Sequence, residues 1–364
     1  LFLHAFTRET GAFVITFLIR RTGQALLVMI VSSIAIFGLL YIAPGGPMSD
    51  IIIQSRQGRF PVKPEDIERL KKQYDLDLPL WQSYTRWAIG WPALDDREPR
   101  YGVVRGDFGT SWRISANEPT TDVLLRVLPN TLKLMIASTL LALVVAIPIG
   151  VYSAIKQYSR LDYLVTTGTF FGIAMPSFWL GSMLILVFSF LFREWGWIYF
   201  PTGGVQATRA WTQPVIGRIT PGTWLDQTFH MVLPTLTLAL FSMAQWSRFT
   251  RAAMLEVLRQ DYVRTARAKG VREFLVVGKH GLRNALIPLI TIVALQIPNL
   301  FGGAIITETI FNWQGMGRLF IDSLVQGDWP VALAYLMLQA LLFVLANMLA
   351  DLLYAVVDPR IRYA

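Results

Sequence analysis

Six stretches of this sequence carry no Asp, Glu, Lys or Arg and are long enough, at about 20 helical residues, to cross roughly 30 Å of hydrocarbon. They are residues 22–43, 134–155, 163–192, 227–247, 284–307 and 329–350. The pattern predicts an all-α, polytopic membrane protein of six transmembrane helices. The third run is too long for one straight span. Pro176, with Gly172 and Gly181 beside it, predicts a kink there, or a span followed by an interfacial segment. Trp195, Trp197 and Tyr199 then read as an aromatic belt at the membrane surface. The first run follows Arg20 and Arg21 as the apolar part of a secretory leader would. It is too long for that part, and Ala43 is followed by Pro44 rather than by a cleavage site, so it reads as an uncleaved first helix. Residues 1–14 are mixed and add no span.

Composition agrees. Hydrophobic residues make up 54% of the 364, charged residues 16%, and the mean hydropathy is +0.46. A soluble domain carries about a quarter charged residues, so a water-soluble globule is excluded. The formal charge is nevertheless +9, from 33 Lys and Arg against 24 Asp and Glu. That admits two readings, nucleic-acid binding or positive loops on one membrane face. With both termini cytoplasmic, the inside segments are 1–21, 156–162, 248–283 and 351–364. Leaving Asp351 uncounted at the boundary, they hold 16 basic and 6 acidic residues, a net +10, against 17 and 18 elsewhere. The whole excess lies on one face, which fixes the orientation and removes the nucleic-acid reading. The chain then divides into a lead (1–21), a first transmembrane helix (22–43), an extracytoplasmic loop subdomain (44–133) and a five-helix core (134–364). The outer loop carries Tyr74, Trp81, Tyr84, Trp87 and Trp91, and Pro64 opens a short surface helix expected over 65–74.

The residues needed for chemistry on this chain do not come together in the sequence. There is no Cys, which excludes disulfides, thiolate chemistry and Cys-based metal sites. His4, His230 and His280 fall at different depths and cannot share a metal. Gly278-Lys279 lacks the upstream glycine of a phosphate-binding loop. Glu308 and Asp351 sit at opposite faces, so they form no carboxylate pair; each is either an interfacial acid, solvated or capping a helix, or a functional intramembrane acid. The chain reads as a non-enzyme with no metal or cofactor of its own.

Segment 248–283 is the exception to this blandness. Nine basic residues face three acidic ones there, with Met254, Leu255, Val257, Leu258, Tyr262, Val263 and Ala266 at helical spacing. Gly270 supplies a helix stop after Lys269, and a second short helix is expected over 272–280. Such a pair suits docking into a groove on another protein. It also suits an ordinary positive-inside loop lying on anionic lipid.

The run Asp261-Tyr262-Val263-Arg264-Thr265-Ala266-Arg267-Ala268-Lys269-Gly270, followed by Arg283-Asn284-Ala285-Leu286-Ile287-Pro288, resembles the cytoplasmic loop signature of ATP-binding-cassette (ABC) importer permeases. The branch it is similar to serves dipeptides, oligopeptides and nickel, and within it the first of the two permease subunits. Further stretches agree in order: Ile42-Ala43-Pro44-Gly45-Gly46-Pro47, Gly106-Asp107-Phe108-Gly109-Thr110-Ser111, Leu128-Pro129-Asn130-Thr131-Leu132, Pro176-Ser177-Phe178-Trp179, Glu308-Thr309-Ile310-Phe311 with Gly315-Met316-Gly317-Arg318, and Asp358-Pro359-Arg360-Ile361-Arg362. The resemblance runs from about Phe17 onward. Arg264-Thr265-Ala266 stand where the general motif has Glu-Ala-Ala, as is usual in the peptide branch, and Gln314 stands where many members have Pro.

The resemblance implies the type I ABC importer permease fold and a bacterial or archaeal cytoplasmic membrane. It also implies three kinds of partner: a second permease forming a heterodimer, two ABC ATPase subunits that hydrolyse ATP, and an extracytoplasmic substrate-binding protein. Tyr262, Arg264, Thr265, Ala266, Arg267, Ala268, Lys269 and Gly270 become the expected ATPase-coupling element. Ala266 and Ala268 allow close approach, and the cations supply a charged rim. Ser177, Gln245, Gln296 and Asn299 are candidates for the substrate path, although a polar residue in such a position more often packs or caps a helix than contacts a ligand, and Pro176 and Pro298 break helices near it. The expected cargo is a di- or oligopeptide. Nickel, glutathione or an oligosaccharide on the same machinery are the alternatives, and an ATP-independent channel or scaffold is the more distant one.

Overall fold

The computed structural model describes residues 8–42, 75–94, 99–296 and 304–357, together with Glu65, Glu68, Lys71 and Lys72. The helix expected over 65–74 lies largely outside these residues, as do Pro298, Asn299 and the ending at 358–364. The described chain is mostly helical. Its main helices are α1 (Arg8–Ile42), α2 (Leu80–Ile89), α3 (Thr120–Ile155), α4 (Arg160–Ala174), α5 (Ser177–Ile185), α6 (Trp224–Val257), α7 (Asp261–Ala268), α8 (Arg283–Gln296), α9 (Ile305–Ile310), α10 (Met316–Gln326) and α11 (Trp329–Val357). A small antiparallel hairpin, β1 (Trp211–Gln213) with β2 (Gly217–Ile219), pairs Trp211 with Ile219.

Four segments among the described residues are long and apolar enough to cross a membrane: Ile19–Ile42, Thr120–Ile155, Ser177–Glu194 and Trp329–Met348. Helix α6 carries the fourth apolar run, and α8 with the start of α9 the described parts of the fifth. The long third run breaks where the sequence predicts. Met175 takes an extended conformation (φ −75°, ψ 126°) ahead of Pro176, because the proline ring excludes the helical region for the residue before it. Of the two halves, α4 with its 15 residues reaches only about 22 Å. The second half, α5 continued through a π-helical turn (Leu186–Leu191) to Glu194, is the one long enough to span.

The chain falls into two compact units, Leu1–Arg126 with Leu319–Met348, and Val127–Arg318 with Leu349–Ala364. In the first, Phe37, Trp87 and Met337 form a core, and Ser33 Oγ lies 2.8 Å from Tyr84 OH. Two buried carboxylates organise the segments outside the helices. Asp75 takes Arg86 Nε at 3.0 Å and Arg100 Nε at 3.3 Å. Asp328, just before α11, accepts from Ser111 Oγ at 2.5 Å and from the backbone N–H groups of Trp112, Arg113 and Ile114 at 2.9–3.1 Å.

In the second unit α4, α5 and α8 all pack on α6. Lipid is as apolar as a leucine side chain, so helices in it gain little from hydrophobicity and associate through close contact of small residues. The core is accordingly Ala142, Ala146, Ala239, Trp246 and Leu289. Gly150 of α3 touches α6 so closely that a Cβ there meets Ser247 O and Thr250 Cβ at 2.6 Å. Gly172 of α4 lies against Ala244 in the same way, at 3.2 Å.

This packing predicts that Gly150→Leu destabilises the protein by about 1–3 kcal/mol, the usual cost of overfilling a packed contact. Gly168→Leu, at a site with nothing within 4 Å, should change stability by less than about 0.5 kcal/mol. Thermal midpoints in detergent check the pair; equal midpoints contradict the α3–α6 contact.

Candidate functional site

After α6 ends at Val257, a short turn leads into α7. Only one face of α7 is buried: Val263 and Ala266 pack with Val276, Val257, Leu258 and Val271. The helix closes as the sequence predicts. Gly270 has φ +74°, its N–H donates to Arg267 O at 2.9 Å, and Val271 N–H donates to Ala266 O at 3.2 Å. These are the two bonds of a Schellman closure, completed by the contact of Val271 with the Val263–Ala266 face. The second short helix is present as Glu273–Leu275 and a π-helical turn, Val276–Leu282, running straight into α8.

The expected coupling residues therefore divide. Tyr262, Arg264, Thr265, Arg267, Ala268, Lys269 and Gly270 are exposed. Ala266 is turned inward and belongs to the loop's own core, so Ala268 alone offers a small side chain at the surface. Arg267 is held by a two-point pair with Glu273, at 2.7 and 3.2 Å; its hydrogen bonds hold the Glu273 carboxyl below, and the guanidinium above, their usual ranges. Tyr262 OH accepts from Asn284 Nδ2 at 3.1 Å, which ties α7 to α8.

Behind the loop lies an ion pair, its carboxylate buried and its guanidinium partly so, that the sequence reading did not single out. Arg251 of α6 donates through Nε and Nη2 to both oxygens of Asp162, at 3.0 Å each. Ser153 Oγ and Tyr158 N–H also donate to this carboxylate. Asp162 sits in the first turn of α4, where Ser159 caps its N–H. The Arg251 hydrogen bonds, with those from Ser153 and Tyr158, outweigh the cost of burial and hold Asp162 down to about 2. Met254, Ala154 and Ala285 pack beside it, with Val277 and Leu282 of the loop against them.

A second candidate region is a cavity of about 380 Å³ between α3, α5 and α6. Ser177 and Gln296 both line it, with Ser138, Thr139, Thr237 and Ser242. Gln245 is not among the lining residues, and Asn299 lies outside the described residues. Ser138 and Thr237 return their hydroxyl hydrogens to Met135 O and Leu233 O, each at 2.9 Å, which lets a hydroxyl sit on an apolar helix without a tertiary partner. Their only sequence signal is a Ser or Thr inside an apolar run.

Glu308 answers one question left open by the sequence. It is fully buried and caps α10, accepting from Arg318 N–H at 2.9 Å and from Thr131 Oγ1 at 2.9 Å. Thr131 Oγ1 in turn accepts from Met316 N–H at 2.7 Å. A Cβ on Gly315 would lie 2.6 Å from both side chains, so only glycine fits. Helix capping is its role, and the acid is not solvated. Of the histidines, His230 is buried with Nδ1 2.8 Å from Asp226 O.

Residues 146–363 match the family model described as the binding-protein-dependent transport system inner membrane component, and residues 14–135 match the model for the N-terminal part of such membrane components. The chain belongs to this permease family. It is 42% identical over 347 residues to the oligopeptide transport system permease protein AppB of Bacillus subtilis (strain 168), covering 95% of this chain and 99% of that one. It is 35% identical over 358 residues to the dipeptide transport system permease protein DppB of Escherichia coli (strain K12), covering 95% and 98%. It is 36% identical over 349 residues to the glutathione transport system permease protein GsiC of Pectobacterium atrosepticum, covering 96% and 99%. Among solved structures, a chain of the inward-facing MetNI methionine ABC transporter superposes with a TM-score of 0.50 at 18% identity, covering 66% of this permease and 99% of that chain. That likeness concerns the fold, a type I importer permease fold.

For the permease, Asp162→Asn leaves Arg251 without its charge partner and should lower stability by about 1–3 kcal/mol at neutral pH. The folded carboxyl titrates near 2 and the unfolded one near 3.9. The wild-type advantage should therefore be full above about pH 4 and fade as pH falls toward 2. Thermal midpoints of the two proteins across pH check it, and a difference already shrinking between pH 8 and 6 contradicts the assignment.

Proposed function

We propose that this permease forms half of the translocation pathway of an ATP-driven importer for di- and oligopeptides. An extracytoplasmic binding protein delivers the cargo, and two ATPase subunits, which hydrolyse the ATP, act on the cytoplasmic loop. The observation that carries this reading is the construction of α7. Its inner face is a closed apolar core and its C-terminus is locked at Gly270, while its outer face, with Tyr262, Arg264, Thr265, Ala268 and Lys269, is left exposed. A short helix held rigidly from behind transmits a push; a loop merely resting on lipid needs no such core.

Concentration of positive charge in 248–283 supports a cytoplasmic position for this loop. The partner permease is a different chain, and ATP-driven closure of the ATPases rotates the paired bundles. Short peptides are the cargo class that unites relatives named for oligopeptides, dipeptides and glutathione, the last being itself a tripeptide. Ser177, Gln296 and the hydroxyls around them line the route.

Ala268→Glu places a bulky charge on the outer face without touching the inner core. It should reduce ATP-dependent peptide uptake by the reconstituted transporter at least about ten-fold, the equivalent of one lost interface contact of 1.4 kcal/mol. The protein should still fold and insert. Uptake at the wild-type rate contradicts docking through this face.

A further inference from the structure

A second cavity, of about 620 Å³, lies in the same unit at the far end of α5 from Ser177. Its floor is the π-helical turn Leu186–Leu191, which supplies Ser189 and Phe190, and its walls are the 199–211 loop and the residues after α9. Single-turn π-helical widenings concentrate at functional sites, because they re-aim side chains that a regular helix would turn away. Ser189 is buried and its hydroxyl has no hydrogen-bond partner among the described residues. A buried hydroxyl left unpaired beside a cavity adds a polar group beneath its wall.

The charge of this cavity is one-sided. Arg193 and Arg209 line it and no Asp or Glu does. Among the described residues neither guanidinium meets a carboxylate. Arg193 lies over the Tyr199 ring, 5.5 Å from its centre, an arrangement that positions the cation and leaves its N–H donors available. Asp226, a buried acid that accepts from the cavity-lining residues Ala207 and Trp211, is already committed. One oxygen accepts from the N–H groups of Ala207 and Gly222 at 3.0 Å, and the other accepts from Trp211 Nε1 at 2.9 Å. Burial raises the Asp226 carboxyl, but these donors together with His230 outweigh it and hold it below its usual range. It is a fixed anion that pins the loop.

The walls are also built in advance. Gly204 N–H donates to Phe311 O at 2.8 Å, and a Cβ on Gly203 would collide with Phe311 O, so this pair of glycines presses the loop onto the end of α9. Gln213 and Tyr199 are joined side chain to backbone, and Phe200 stacks on Phe229 at 5.5 Å. A preformed cavity of several hundred Å³ with aromatic walls and a few converging polar groups is the usual form of a small-ligand site.

The geometry points to a carboxylate-binding vestibule: Arg193 and Arg209 receive the carboxylate of an incoming peptide before it enters the pathway. This deepens the peptide-import reading and rests on it. Ser189 and Ser177 lie on one helical segment about 18 Å apart, at 1.5 Å per residue. That distance is covered by about five extended residues, so a peptide held here by its carboxylate end can reach toward the cavity at Ser177.

Because the chain has no Cys, Thr208→Cys at the cavity wall gives a single reporter thiol on this chain, whose labelling is read on its own gel band from the assembled permease–ATPase complex. Its modification by a neutral maleimide is timed with Ala-Ala-Ala and with the same tripeptide as its C-terminal amide. The free acid should slow modification about five-fold at a concentration several times its dissociation constant. The amide, lacking the charge, should need roughly ten-fold more for the same effect. Adding Arg193→Gln and Arg209→Gln should abolish protection by the acid, and Arg193→Lys with Arg209→Lys should restore part of it. Equal protection by acid and amide, or none by either while the wild-type complex imports Ala-Ala-Ala, overturns the vestibule and leaves the transport reading intact. Protection by the acid alone, without uptake, supports the vestibule and overturns the peptide-import reading.

Discussion

A helix of 34 residues extends about 51 Å, well beyond the roughly 30 Å of hydrocarbon a span has to cross. In α6 the excess length is put to use at both ends. At its first turn Asp226 pins the 207–222 segment; in its middle Thr237 and Ser242 line the cavity that Ser177 also lines; near its last turns Arg251 holds Asp162 and Met254 packs the loop that carries α7. One helix, its hydrogen-bond ladder interrupted at Pro234, thus connects the 207–222 segment, the cavity wall and the loop that carries α7.

What keeps neighbouring helices against that rod follows from the solvent. Lipid offers no hydrophobic reward for bringing two apolar helices together, so the contacts that hold α3 and α4 on α6 are close backbone approaches at Gly150 and Gly172. The polar pins are kept to the ends: Asp162 with Arg251, and Glu308 with Thr131 and the start of α10. Each buried carboxylate has its oxygens filled by fixed donors, which satisfies the requirement that a buried charge be paired or hydrogen-bonded.

The parts of this architecture that depend on local chemistry were legible in the sequence. Charge-free runs marked the helices, Pro176 marked the break through its effect on Met175, and Gly270 marked the end of α7 through its positive φ. Parts that depend on which helices meet were not. Asp162 and Arg251 are far apart in the chain and look like two ordinary loop charges. Ala266 reads as a small exposed residue until Val276 and Val271 are folded onto it. The cavity hydroxyls at Ser138, Thr139 and Ser242 are indistinguishable in sequence from any Ser or Thr in a span. Several motifs that carried the family resemblance turn out to be structural: Asn130-Thr131 meets Glu308 and the Gly315–Arg318 stretch in one hydrogen-bonded knot. The fold, more than the transport chemistry, accounts for those residues.

The central claim is that α7 meets an ATPase subunit with the face that its own core leaves exposed. Cross-linking tests this directly, since the chain has no Cys of its own. A benzophenone maleimide attached to Ala268→Cys, whose photoactivated ketone inserts into any nearby C–H bond, should join this chain to an ATPase subunit in the membrane-embedded transporter, and Val263→Cys, on the buried face, should not. An ATPase-containing complex in which Ala268→Cys stays unlinked while its thiol remains fully reactive would contradict the account.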